Sequence, residues 1–108
     1  MAILFIAQRV TAFVLAAAVA VHLGTILYAV RGGLTAAEIL ARTHGNMQFA
    51  LFYAVFVIAV AIHAPIGLRN IFREWTQWGG RPLDAVLAAF SLLLVFLGMR
   101  AVFAVYGV

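Results

Sequence analysis

The side chains best placed to do chemistry are His63 and His22, inside long apolar runs, and Arg9, Thr11 and Arg69 at the edges of such runs. The stretch His63-Ala64-Pro65-Ile66-Gly67-Leu68-Arg69-Asn70 sets an imidazole about two helical turns inside its run and a guanidinium at the boundary. Ionisable groups are expensive in hydrocarbon, so those that sit there usually have a partner or a task. His63 reads as a haem-iron ligand, with Arg69 facing a propionate or a lipid phosphate. A packing imidazole bonded to a neighbouring carbonyl is the alternative.

The second constellation lies near the start of the chain. Arg9 and Thr11 could hold the polar head of a quinone, with Trp75 or Trp78 at the same interface. Hydrogen bonds to quinone oxygens steady the charge that develops on reduction. Arg9 could equally be a topology anchor only. His22 lies 13 residues beyond Arg9, and His63 lies six before Arg69. Helical rise puts them roughly 20 Å and 9 Å from the same membrane edge, a depth difference of about 10 Å. That difference argues against a shared iron. Either His63 takes its second ligand from another subunit, or each His serves its own haem; a buried His22 bonded to a carbonyl is the plainer option. His44, beside Gly45, is expected to be solvent-exposed.

These residues need elements to carry them, and composition says which. Of 108 residues, 68% are hydrophobic and 9% charged, against about a quarter charged in soluble domains. The chain is therefore expected to be a single all-α membrane domain, 1–108, of three transmembrane helices at approximately 10–30, 47–68 and 83–106. There are no cysteines, which rules out disulfides, thiolate zinc sites and iron–sulfur clusters on this chain. All seven positive side chains are Arg and the net charge is +4. They cluster at the ends of apolar runs, which suits lipid headgroups and not nucleic acid. The first residues carry no charged leader, so the first span is expected to serve as the insertion signal.

In chain order, the first span carries Ala12, Ala16, Ala20 and Gly24 every four residues, a seam for close approach of a helix or a flat cofactor. Thr35 to Thr43 is expected to form a short interfacial helix, opened by a Thr35/Glu38 capping box and ended near Gly45. In the second span Pro65 frees the carbonyl of Ala61, and a modest kink is expected near His63. Asn70 to Asp84 is the most polar stretch; Gly79-Gly80 makes a turn, and Pro82 with Asp84 suits the first turn of the last helix. That helix is apolar from Ala85 to Met99 except for Ser91. Arg9, Arg69, Arg73 and Arg81 on one side, against Arg31, Arg42 and Arg100 on the other, place the N-terminus inside.

Gln8-Arg9-Val10-Thr11-Ala12 resembles the His-Arg-hydrophobe-Ser/Thr-Gly opening of the cytochrome b membrane-anchor subunit of succinate dehydrogenases. His63-x-x-x-Gly67-x-Arg69 resembles that family's second-helix motif, His-x-x-x-Gly-x-Arg-His. The likeness covers nearly the whole chain. It departs where Gln8 replaces His, Ala12 replaces Gly and Asn70 replaces the final His, and the first and last bear on propionate contacts. The resemblance implies the membrane anchor of a succinate:quinone oxidoreductase or fumarate reductase. It implies that His63 is an axial ligand of haem b, that Arg9 contacts quinone or a propionate, and that Thr11 lies close by. His22 matches the two-haem members, where the first helix also supplies a ligand. It further implies a flavoprotein subunit, an iron–sulfur subunit, a second membrane-anchor subunit, a ubiquinone or menaquinone, and a bacterial inner membrane. Succinate chemistry itself would lie on another subunit.

Three other readings stand beside this one. The chain could anchor a different flavin-dependent dehydrogenase, carry protons through His22 and His63, or only pack helices. A transporter would more often hold an intramembrane carboxylate, and none lies between Val10 and Val30 or between Met47 and Leu68.

Overall fold

The computed structural model describes residues 2–107, and Met1 and Val108 lie outside them. Four helices follow in order: α1 (Ala2–Gly32), α2 (Ala36–Thr43), α3 (Met47–Trp75) and α4 (Gly80–Tyr106). α1, α3 and α4 are each long and apolar enough to cross a membrane. The bundle measures 49 Å along its longest axis, enough to cover a bilayer of about 40–45 Å including headgroups. The chain is an all-α, multi-pass integral membrane protein with a short helix between its first two spans.

α3 is the central helix and packs on both α1 and α4. Few side chains are buried: Ala18, Ala59, Ala61, Leu83, Leu87 and Val102 are the apolar ones, with Thr11 and Thr43 beside them. Large apolar side chains such as Phe13, Tyr28, Leu92 and Phe96 point outward, as a hydrocarbon solvent favours. Close approach of α3 and α4 depends on Gly98, where a Cβ would stand 2.5 Å from Val57 Cγ1.

The capping box of α2 forms in both halves, with Thr35 accepting from the Glu38 N–H and the Glu38 carboxylate accepting in return. Glu38 is held below the usual carboxylate range, first by the Thr35 hydroxyl bond, then by the Thr35 backbone N–H. The far end of α2 is tied to α4. Thr43 donates its hydroxyl to the Val105 carbonyl at 2.8 Å, and the Gly45 N–H reaches the Tyr106 carbonyl at 3.0 Å. Asn46 then caps α3 by accepting from the Phe49 N–H.

The helices overrun the expected apolar spans. α1 is helical from Ala2, and α3 continues through Asn70–Glu74, so the polar connection narrows to residues 76–79. Arg and Glu are good helix formers, and nothing after Pro65 removes a backbone donor before the Thr76 cap. α4 starts at Gly80, which puts Pro82 in its first turn but Asp84 in its second. The small-residue seam of α1 does not face α3. Ala12, Ala16, Ala20 and Gly24 are all exposed, and a Cβ on Gly24 would meet nothing within 4 Å. Thr11, Ala18 and His22 form the inner face instead.

Candidate functional site

α1 and α3 run antiparallel, and their register is fixed by two polar contacts. Thr11 on α1 meets His63 on α3, with Oγ1 3.3 Å from Nδ1. His22 on α1 meets Tyr53 on α3, with Nδ1 2.9 Å from the phenol oxygen. Each helix thus contributes one imidazole and one hydroxyl, in opposite order along the seam. The two contacts are 11 residues apart on α1 and 10 on α3, which separates the imidazoles by about 16 Å along the bundle. This exceeds the roughly 10 Å that distances to the flanking Arg residues suggest. Thr11 and Gly67 sit at the same end as His63; Tyr53 and the α2 connection mark the other.

At the His63 end, Thr11 is 7% exposed and its hydroxyl also lies 2.7 Å from the Ala7 carbonyl. Gln8, one turn earlier, approaches Gly67, where a Cβ would stand 3.4 Å from Gln8 Nε2. The other amide atom, Gln8 Oε1, is buried without a hydrogen-bond partner. Gln8, Thr11, His63 and Gly67 therefore come together across the seam.

Arg9 and Arg69 do not join them. Arg9 is exposed, with its guanidinium 5.7 Å from the centre of the Phe5 ring. Arg69 turns to α4, where its Nε donates to Asp84 Oδ1 at 3.0 Å. That ion pair borders a groove of about 340 Å³ lined by Pro65, Leu87 and Ser91, among others. Within it Ser91 donates to the Ala61 carbonyl at 2.6 Å, the acceptor that Pro65 cannot serve.

At the His22 end, the imidazole is held edge-on between aromatic rings. Tyr53 and Phe56 both lie 5.6 Å away, at interplanar angles of 81° and 85°. The His22–Tyr53 pair separates two cavities. One, of about 640 Å³, reaches Arg42, Thr43 and Asn46 under α2. The other, of about 330 Å³, is apolar and bounded by Val60, Leu94 and Leu97. His44 is exposed and packs against Gly107 at the end of α4.

Motif and composition do not mark Tyr53 and Asp84 as partners. A constant sum of residue numbers finds Tyr53, because a Thr11–His63 pairing puts His22 opposite the neighbourhood of residue 52. Asp84 is a lone intramembrane-edge acid 15 residues after Arg69, and only the α3–α4 crossing brings the two together.

No curated protein and no solved structure matches the chain. A family model described as the succinate dehydrogenase/fumarate reductase transmembrane subunit matches residues 1–105. Three membrane-length helices, a half-buried His63 on the second of them, and a match over nearly the full sequence lead to one conclusion: the chain belongs to the succinate dehydrogenase/fumarate reductase transmembrane-subunit family.

Proposed function

We propose that the chain is the cytochrome b anchor of a succinate:quinone oxidoreductase, with His63 as an axial ligand of haem b. The observation that carries this reading is the position of His63. It is half-buried in a helix–helix seam, with Gly67 one turn away and the family match around it. The residues fit the group: the imidazole is engaged at Nδ1 and Nε2 makes no hydrogen bond among the described residues. The missing side chain at Gly67 lets the Gln8 amide approach α3 one turn from the imidazole, and Gln8 Oε1 is left there as a buried acceptor without a donor. Haem b, when bound, supplies one-electron transfer between an iron–sulfur relay and a quinone.

In this reading His63 would hold the haem and a second membrane-anchor subunit would supply the further ligand, because His22 stands about 16 Å away along the bundle. His22 is the candidate ligand for a second haem if the complex holds two, and it is flanked by the cavities on either side of Tyr53. Arg9, on the outer surface of α1 at the His63 end, meets quinone or a propionate. Arg69 is engaged through Nε and keeps its terminal amino groups for a propionate or a lipid phosphate. Flavoprotein and iron–sulfur subunits dock at the same end, which is the cytoplasmic side of a bacterial inner membrane.

The test is a dithionite-reduced minus oxidised spectrum of the purified complex, wild type and His63→Ala. A b-type α-band lost in the variant supports the assignment, and haem per chain in His22→Ala counts the second site. Quinone reduction should fall in His63→Ala while artificial acceptors still support succinate oxidation. A wild type without haem would leave a haem-free quinone anchor as the better account.

A further inference from the structure

We infer that Thr11 is a positioning residue that fixes His63 as the Nδ1–H tautomer, so that Nε2 presents its lone pair. The inference rests on the proposed haem-ligand role of His63 and deepens it. A hydroxyl has one proton to give. The separation of 2.7 Å between Thr11 Oγ1 and the Ala7 carbonyl is a full O–H···O hydrogen bond, and two oxygens stand so close only with the proton between them. The Gln8 carbonyl, at 3.2 Å, flanks the same proton. Thr11 therefore faces His63 with lone pairs only, and the contact at 3.3 Å is completed by an N–H on Nδ1. A neutral imidazole carries one such proton, so Nε2 has none. Thr11 is 7% exposed, and water does not compete for the bond.

An imidazole that gives its second N–H to an acceptor is held in one ring orientation and becomes a more basic ligand. The contrast with His22 sharpens the point. Tyr53 has no second acceptor for its hydroxyl among the described residues, so the His22–Tyr53 bond can run in either direction. The backbone of α1 removes that freedom at Thr11, because it consumes the hydroxyl proton.

The experiment compares wild type, Thr11→Val and Thr11→Ser in the assembled complex, with His63→Ala as the reference for the ligand itself. Valine keeps the shape and loses the acceptor; serine restores it. In Thr11→Val the midpoint potential of the His63-dependent haem should shift upward, because a weaker ligand favours ferrous iron, and its low-spin EPR signal should move. Thr11→Ser should return both to the wild-type values. A second measurement uses the same variant. Proton ENDOR of the oxidised complex should show an imidazole N–H proton that exchanges slowly with D2O in wild type and rapidly in Thr11→Val. Wild-type potential and EPR signal in Thr11→Val, or no such protected proton, would overturn the inference while His63→Ala still loses haem. A haem that survives His63→Ala would overturn the ligand reading and this inference with it.

Discussion

Ser91 on α4 donates its hydroxyl to the Ala61 carbonyl on α3 at 2.6 Å, the group left without a helical donor by Pro65 four residues later. A proline defect in one span is thus closed by a hydroxyl from the next, just before the turn that carries His63. Ala61 and Pro65 are both buried, so the carbonyl has no water to turn to. Ser91→Ala should destabilise the complex by about 0.5–1.5 kcal/mol, the range for one interhelical hydrogen bond in a membrane. Unfolding in detergent checks this. Under the proposed ligand role of His63, the variant should keep the haem spectrum, since Ser91 bonds to the Ala61 carbonyl and to neither imidazole.

Gly98 and Val57 give a steric prediction. In Gly98→Ala the new methyl would meet three atoms of a β-branched side chain, the nearest two at 2.5 and 2.8 Å. Val57 has little rotamer freedom in a helix, so α3 and α4 must move apart, at a cost of about 1–3 kcal/mol. Val57→Ala in the same chain should recover most of the loss. A double-mutant cycle by thermal unfolding reads the coupling.

The Arg69–Asp84 pair should contribute little by itself. The side chains are 25% and 52% exposed, and exposed ion pairs are typically worth below about 1 kcal/mol and are screened by salt. A cycle of Arg69→Ala and Asp84→Asn should give a coupling in that range that shrinks from low to high ionic strength. A larger loss in Arg69→Ala than in Asp84→Asn would point to a second anionic partner for the guanidinium.

α2 should respond to acid. The Thr35 bonds depress the Glu38 pKa, so ionised Glu38 favours the folded helix. That contribution is complete above the ordinary carboxylate value and disappears as pH falls through the lower, folded value. Amide exchange in α2 should accelerate across that interval, and Glu38→Gln should flatten the response. The Thr43 and Gly45 bonds to α4 should loosen in step.

Local features of this chain are legible in the sequence, and distant pairings are not. The Thr35/Glu38 box depends on residues three apart, and it forms in full. The free Ala61 carbonyl follows from Pro65 alone, but its donor is 30 residues away and requires the crossing of two helices. Arg9 and Thr11 read as a pair because they are close in sequence. Residues two apart on a helix point to nearly opposite sides. Thr11 accordingly turns into the seam and Arg9 away from it. The alanine–glycine seam shows the same limit in reverse: its periodicity is plain, but periodicity does not say which neighbour a face meets. That the second membrane helix outlasts its apolar run is hidden in the sequence because hydropathy marks the solvent and not the helix end.

The bonds from Thr43 and Gly45 to the last carbonyls of α4 also bear on how the protein fits bilayers of different thickness. An eight-residue helix carrying Glu38 and Arg42 cannot sink into hydrocarbon, so it floats at the headgroup level. By holding Val105 and Tyr106, it fixes the height at which the final span ends. Hydrophobic mismatch then cannot be relieved by sliding α4 along its neighbours. Tilting of the bundle as a unit or local deformation of the lipid must absorb it, so the end of α4 keeps its level relative to α2 from one membrane to another.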